Sequence, residues 1–351
     1  MSSKMEITRR DALRYVSATA AMSVAGNVPA LADAQAVAKI EEAANKEGRV
    51  VIYYSGVPIQ RAQIFLDAWA NRYPKIKMEY IEVSGSETIG RVVQESLAGG
   101  PTCDFSTNSL GAVAGLIKQG LLRPIDMAPF GQKPSYQAQP NPYVLATHGT
   151  TYCSMYHTKR VSSADVPKKA EDLLDPKWKG RWGTWNRPVG IMTLIGVWGE
   201  ERTTEYVKKL AETRPRLFRS AAAWTDALTS GEIDIANFIP TYSTVPPREA
   251  GAPVAISMVE PVSLTLVYGF LPKEGRNPNA ARLLLTWIAG SEGGQAMEKA
   301  SKRGNPFNPA SETAKELVGV NLSAIDVKLE GEKSDYLAKL EDRYAQILQG
   351  R

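Results

Sequence analysis

The chain has 351 residues, a formal net charge of +5, 43% apolar and 23% charged residues, the proportions of a soluble globular protein rather than a disordered or fibrous one. At about 150 residues per domain the length predicts two domains, and no stretch reaches the ~18 uninterrupted apolar residues of a membrane-spanning helix. Two cysteines exclude a disulfide scaffold and a four-thiolate zinc site, and two histidines leave little material for metal or acid–base chemistry.

Taken in order, residues 1–32 read as an export signal. Arg9-Arg10 and Arg14 precede a weakly apolar run from Tyr15 to Val28, which closes on Ala30-Leu31-Ala32, small residues at the two positions a signal peptidase reads. The paired arginines predict twin-arginine export to the periplasm, with Ala12 where a phenylalanine is usual. This segment carries a net +2, so its removal leaves 38 basic and 35 acidic residues, a net +3 over 319 residues. No Lys/Arg cluster with interleaved aromatics follows, which argues against a nucleic-acid partner.

From residue 33 helical and apolar-strand patterns alternate. Ala36 to Lys46 has helical spacing and stops at Gly48, a C-cap signal. The run VVIYY over 50–54 predicts a strand buried on both faces of a parallel sheet. A helix over 58–73 places Ile64, Phe65, Ala68 and Trp69 on one side. Residues 77–83 read as a strand, 84–97 as a helix, 103–106 as a short strand, and Asn108-Ser109 as a helix cap. Strand–helix units of about 30 residues predict βαβ crossovers and an α/β sheet. Residues 124–147 read as irregular and Pro-rich. A second series follows, with strands at 151–156, 180–185, 233–239, 254–258 and 264–270. Helical patterns cover 190–212 and 277–288, and an amphipathic helix runs over 336–348.

Several segments carry a resemblance to a known family: residues 47–53 (EGRVVIY), 171–181 (EDLLDPKWKGR), 230–234 (SGEID), 278–282 (PNAAR) and 291–295 (SEGGQ). The chain resembles the periplasmic solute-binding proteins of ABC importers, in the branch containing the iron(III)-binding proteins, over residues 38–305. The resemblance implies a two-lobed α/β periplasmic-binding-protein fold of type II, with hinge-crossing strands and a ligand in the interlobe cleft. Lobe one is assigned 33–150 plus 263–305, and lobe two with the tail 151–262 plus 306–351. It implies a monomer without a cofactor, which captures a small molecule by lobe closure and delivers it to a membrane permease. A ligand sensor for a membrane receptor is the alternative role on the same fold. The chain shows no Gly-x-Ser-x-Gly elbow, Walker loop or His-Glu-x-x-His helix, so a hydrolase is disfavoured.

In open α/β sheets ligands sit beyond the carboxyl ends of strands, where helix N-termini offer free N–H groups to anions. Three such loops lie in lobe one: Ser55-Gly56, Ser84-Gly85-Ser86 and Thr107-Asn108-Ser109. Ordinary helix capping is the competing explanation for each. In lobe two the family places a cleft loop at Trp185-Asn186-Arg187, where Arg187 offers a bidentate pair to a carboxylate or phosphonate and Trp185 packs on the ligand. Thr241-Tyr242 occupies the place where iron-binding relatives carry adjacent tyrosines. Glu87 matches that family's acidic iron ligand, but the early histidine is absent, the region reading Ser55-Gly56-Val57-Pro58. Glu87 and Tyr242 alone make too few hard donors for iron(III), so a small organic anion is expected and iron(III) is the alternative. His148 and His157 are assigned structural or solvent roles. Cys103 and Cys153 are either a disulfide or buried free thiols.

Overall fold

The computed structural model describes residues 34–351 apart from 55–56, 58 and 131–140, and apart from the side chain of Ser86; the export signal lies outside the described residues. Ten strands are described: β1 (Arg49–Tyr54), β2 (Lys77–Glu82), β3 (Phe105–Asn108), β4 (Val144–His157), β5 (Trp182–Trp185), β6 (Arg216–Phe218), β7 (Ile235–Pro240), β8 (Val254–Met258), β9 (Val262–Phe270) and β10 (Leu322–Ser323). The chain forms two compact units. The N-terminal unit comprises residues 34–149 and Leu266–Val318; the C-terminal unit comprises Thr150–Thr265 and Gly319–Arg351.

In the N-terminal unit β1 lies between β2 and β3, parallel to both, with Val50 opposite Met78 and Ile52 opposite Phe105. The Tyr268–Phe270 part of β9 runs antiparallel to β3. The helix Ala34–Glu47 ends where Gly48 takes φ +70°, a conformation that costs glycine nothing and an L side chain more than it can easily recover. The helix Ile59–Arg72 buries Ala62, Phe65 and Trp69. Ile64, expected on that face, is 47% exposed: the stripe at i, i+3, i+7 fixes the inward direction, and the residue before Phe65 falls about 100° off it. Trp69 then packs on Trp287 of the helix Pro278–Ala289, with ring centroids 5.4 Å apart.

Half-buried carboxylates tie this unit together. Glu47 accepts from the backbone N–H groups of Asn279 and Ala280 and from the Asn279 side chain, closing the N-terminus of helix Pro278–Ala289. Glu298 accepts from Ser311 Oγ, Thr313 Oγ1 and the N–H groups of Glu312 and Thr313. Residues 306–318, grouped above with lobe two, therefore pack with the helix Ser291–Ser301 of the N-terminal unit.

In the C-terminal unit β7 pairs antiparallel with β4 and parallel with β5; β6 continues beside β5 and β8 pairs on β4. The helices Ile195–Glu212 and Ser334–Leu348 cover one core, to which the latter contributes Leu337, Leu340, Tyr344 and Leu348 as its spacing predicts. Two segments depart from expectation. β4 starts at Val144 rather than 151 and is buried throughout its 14 residues, so the polar run Thr147-His148 is strand interior rather than loop. β6 and the helix Ala221–Thr229, capped by Ser220, lie where no regular element was predicted.

Two of the family-like segments meet in this unit. Within 171–181, Trp178 enters the core, while Arg181 Nε donates to Asp234 Oδ2 at 2.5 Å; Arg160 takes the other oxygen of Asp234, the last residue of the 230–234 segment.

Candidate functional site

In each unit the candidate residues collect at the carboxyl edge of its sheet, because the parallel register aligns the strand ends. In the N-terminal unit β2 leads into Ser84-Gly85 and β3 ends at Thr107-Asn108, the two strands flanking β1, while Ser55 and Gly56 lie outside the described residues. Asn108 Nδ2 donates to the Gly85 carbonyl at 2.8 Å and so fastens two of the three loops together. Ser84 caps the helix Gly85–Leu97 through Glu87 N, and Ser109 caps Leu110–Lys118 through Ala112 N. The capping explanation thus holds for both serines. Glu87 is exposed in the first helical turn with its carboxylate 3.4 Å from the Ser84 hydroxyl. Thr107 is buried, and the Tyr54 phenol donates to Met297 Sδ at 3.0 Å.

In the C-terminal unit the ends of β5 and β7 are neighbours. Trp185 packs edge-on against Trp224, centroids 5.3 Å apart, and is partly buried in a core rather than standing free as a stacking platform. Asn186 N–H donates to the Phe218 carbonyl at 2.8 Å. Arg187 is 70% exposed, and its Nε donates to Glu341 Oε1 at 3.0 Å. The Thr241 hydroxyl donates to the Thr151 carbonyl at 3.2 Å and lies 2.9 Å from the Thr151 hydroxyl; Tyr242 beside it is half-buried. Gly190, in the turn after Arg187, has no room for a side chain: a Cβ there would lie 2.7 Å from the Tyr152 ring and 3.2 Å from the Phe238 carbonyl.

Cys103 and Cys153 are free and buried, one in each unit, so the disulfide alternative is not realised. Burial pushes the Cys153 thiol up to about 12, which keeps it protonated and inert.

Sequence reasoning passed over one group and left the role of another undecided. Glu341 lies 154 residues from Arg187, and nothing in local pattern links them. His148, assigned a structural or solvent role, is 1% exposed in β4, and its Nε2 has no hydrogen-bond partner among the described residues. Burial first, and then the positive charge of Arg303, hold its pKa well below 6.5. The folded protein therefore keeps His148 neutral, while the unfolded chain takes up a proton below about pH 6.5. The unfolded state binds more protons in that range, so stability is full above about 6.5 and falls as the pH is lowered from 6.5 towards the folded value. Urea titrations between pH 7.5 and 5 are expected to show this loss, and His148→Gln is expected to flatten it. An unchanged slope in the variant rejects the assignment.

With this geometry in place, the relatives are informative. Residues 108–327 match the family model of the bacterial extracellular solute-binding proteins, well over half of the chain, and the chain belongs to that family. The major ferric iron-binding protein of Neisseria gonorrhoeae is 25% identical over 313 residues, covering 86% of this chain and 88% of that protein. The Fe(3+)-binding periplasmic protein of Serratia marcescens is 26% identical over 224 residues, 61% of this chain and 63% of that protein. Among solved structures, the substrate-binding protein of an ABC transporter from Agrobacterium tumefaciens superposes with a TM-score of 0.70 at 18% identity, covering 87% of this chain and 97% of that one. AfuA from Actinobacillus pleuropneumoniae, bound to fructose-6-phosphate, gives 0.65 at 19% identity, covering 86% and 99%. FutA from Trichodesmium, in complex with iron and citrate, gives 0.68 at 19%, covering 85% and 99%. These structures share the two-lobed α/β periplasmic-binding-protein fold with this chain.

Proposed function

We propose that the chain is the periplasmic solute-binding component of an ABC importer, exported by the twin-arginine route, which captures a small organic anion and delivers it unchanged to a permease. Membership of the solute-binding family carries the role. The anionic preference is supported by Arg187, whose exposed guanidinium is held at Nε by Glu341 and keeps its Nη edge for a carboxylate, phosphonate or phosphate. The small polar residues of the strand ends, Ser84, Gly85, Thr107, Asn108, Ser109, Asn186, Thr241 and Tyr242, are the remaining contacts proposed, with Ser55, Gly56 and Ser86 from the undescribed parts of the same loops and Trp185 as an apolar wall.

Iron(III) is the second reading, favoured by relatives named as ferric iron-binding proteins. It would draw on Tyr242 and Glu87, of which Glu87 already serves a helix first turn. A thermal-shift and calorimetric panel of citrate, fructose 6-phosphate, a phosphonate and iron(III) citrate separates the two. Stabilisation by an organic anion alone supports the main reading, and stabilisation by iron(III) citrate without any by free anions overturns it.

Arg187→Ala is expected to weaken binding of the winning anion about tenfold or more, as loss of a charge-assisted bidentate pair does, and Glu341→Gln only a few fold. Equal affinities in all three proteins, measured by calorimetry, would remove Arg187 from the site. Fusing residues 1–32 to a reporter tests the export route, which fails if export persists when Arg9 and Arg10 are both replaced by lysine.

A further inference from the structure

Three observations in the N-terminal unit converge on His148. Its place is fixed by backbone: Gly149 N–H donates to the Gly304 carbonyl at 2.8 Å and Asn305 Nδ2 donates to the Ala146 carbonyl at 3.2 Å. The segment bearing Arg303 therefore runs beside the strand bearing His148. The imidazole also lies beside the ring of Tyr54, centroids 6.3 Å apart, and Tyr54 is the last residue of β1. His148 thus lies directly behind the strand ends that carry the candidate loops of this unit.

The hydrogen bonds then set its tautomer. The Thr147 hydroxyl donates to the Val267 carbonyl at 3.1 Å, which spends its only proton. The contact of 3.1 Å between Thr147 Oγ1 and His148 Nδ1 consequently needs the proton on Nδ1. Nε2 is left as a bare acceptor, buried and without a protein donor. Such an orphan is costly, and an apolar residue of similar volume would avoid the cost. Arg303, whose positive charge acts on His148, is only half-buried.

We propose that His148 Nε2 accepts a hydrogen bond from a hydroxyl of the solute, with the Arg303 guanidinium drawing in the anionic group beside it, so that the protein selects small anions carrying a hydroxyl near the charge. This inference rests on the anionic-solute reading above and narrows it to hydroxylated carboxylates or phosphate esters. A site built around a buried acceptor discriminates strongly against an analogue lacking the donor, because the acceptor is then left unpaired.

The test uses matched pairs that differ in the hydroxyl: citrate with tricarballylate, malate with succinate, and fructose 6-phosphate with inorganic phosphate, measured by calorimetry on the full chain. The wild type is expected to bind the hydroxylated member of at least one pair about tenfold tighter. His148→Phe, which keeps the volume and loses the acceptor, is expected to bring that ratio to within twofold while affinity for the deoxy partner stays. In the wild type, the ¹⁵N resonance of His148 Nε2 is expected to move on saturation with the hydroxylated member and to stay with the deoxy one, a readout that does not depend on the variant folding. Anions that bind without any hydroxyl preference, a preference that survives in His148→Phe, or a stationary Nε2 resonance each overturn the proposal while leaving the anionic reading intact. Failure of every anion to bind overturns the anionic reading and this proposal with it.

Discussion

Asp104→Ala is expected to destabilise the N-terminal unit by about 3–5 kcal/mol, a loss placed among the largest that single substitutions produce. The carboxylate is 2% exposed and fully used. Oδ2 accepts from Val51 N–H at 2.7 Å and Asn277 Nδ2 at 2.9 Å, and Oδ1 accepts from Asn277 N–H at 2.8 Å. It thereby joins the central strand β1 to the start of the helix Pro278–Ala289, segments far apart in sequence. Alanine strands three donors without water, at about 1–3 kcal/mol each before partial relaxation. For a unit of this size the melting temperature should fall by roughly 10 °C. Asparagine is an incomplete rescue, since either orientation of its amide turns an N–H group towards a donor, so Asp104→Asn should fall between the two. Urea unfolding followed by circular dichroism checks the order, and a loss below about 1 kcal/mol for alanine would show that the network is dispensable.

The same habit of using carboxylates bears on what the sequence allowed one to read. Helix N-termini offer themselves to a solute anion, yet this unit fills two of its own with carboxylates: Glu47 at Pro278–Ala289 and Glu298 at Glu312–Glu316. A terminus already holding a negative side chain has little attraction left for a ligand. What remained legible was local. The VVIYY run, Gly48 after its helix, and the heptad-like spacing of Leu337, Leu340, Tyr344 and Leu348 are each dictated within a few residues, and the structure has those elements where the pattern puts them. The family was legible because its most specific segments build scaffold: Trp178 fills a core, and Arg181 reaches Asp234. Scaffold motifs identify a fold and say little about cargo. The first residues of β4 do not show as strand in the sequence because Thr147 and His148 are polar and follow a proline-rich stretch, though their strand is buried throughout. Arg187–Glu341 and Asn108–Gly85 are products of topology, and no window of sequence contains them.

Removing the last helix should have the larger effect on the other unit. A chain ending at Lys333 is expected to lose cooperative folding of the C-terminal unit while the N-terminal unit keeps its own. The helix Ser334–Leu348 buries four side chains, Leu337, Leu340, Tyr344 and Leu348, against a core that includes Trp182, Ile195, Tyr206 and Leu210. At about 1.5–3 kcal/mol for each buried side chain, the loss reaches roughly 6–12 kcal/mol, comparable with the whole stability of a domain. Polar anchors go with it: the Tyr344 hydroxyl lies 3.0 Å from Thr204 Oγ1, and the Tyr336 phenol donates to Glu200. Hydrogen exchange is the discriminating measurement. Amides of β5 and β7 should lose protection in the truncated chain, and those of Val50 and Ile52 in β1 should retain it. Retained protection in both units would mean that the helix is a surface appendage despite its buried face. The helix also carries Glu341, the carboxylate that orients Arg187, so truncation removes packing and site geometry together. Glu341→Gln separates them, because a surface pair of this kind contributes only about 0.2–1 kcal/mol to stability while it determines where the guanidinium points. A fall in anion affinity in Glu341→Gln without a matching fall in stability would then assign the C-terminal helix a positioning role in addition to its structural one.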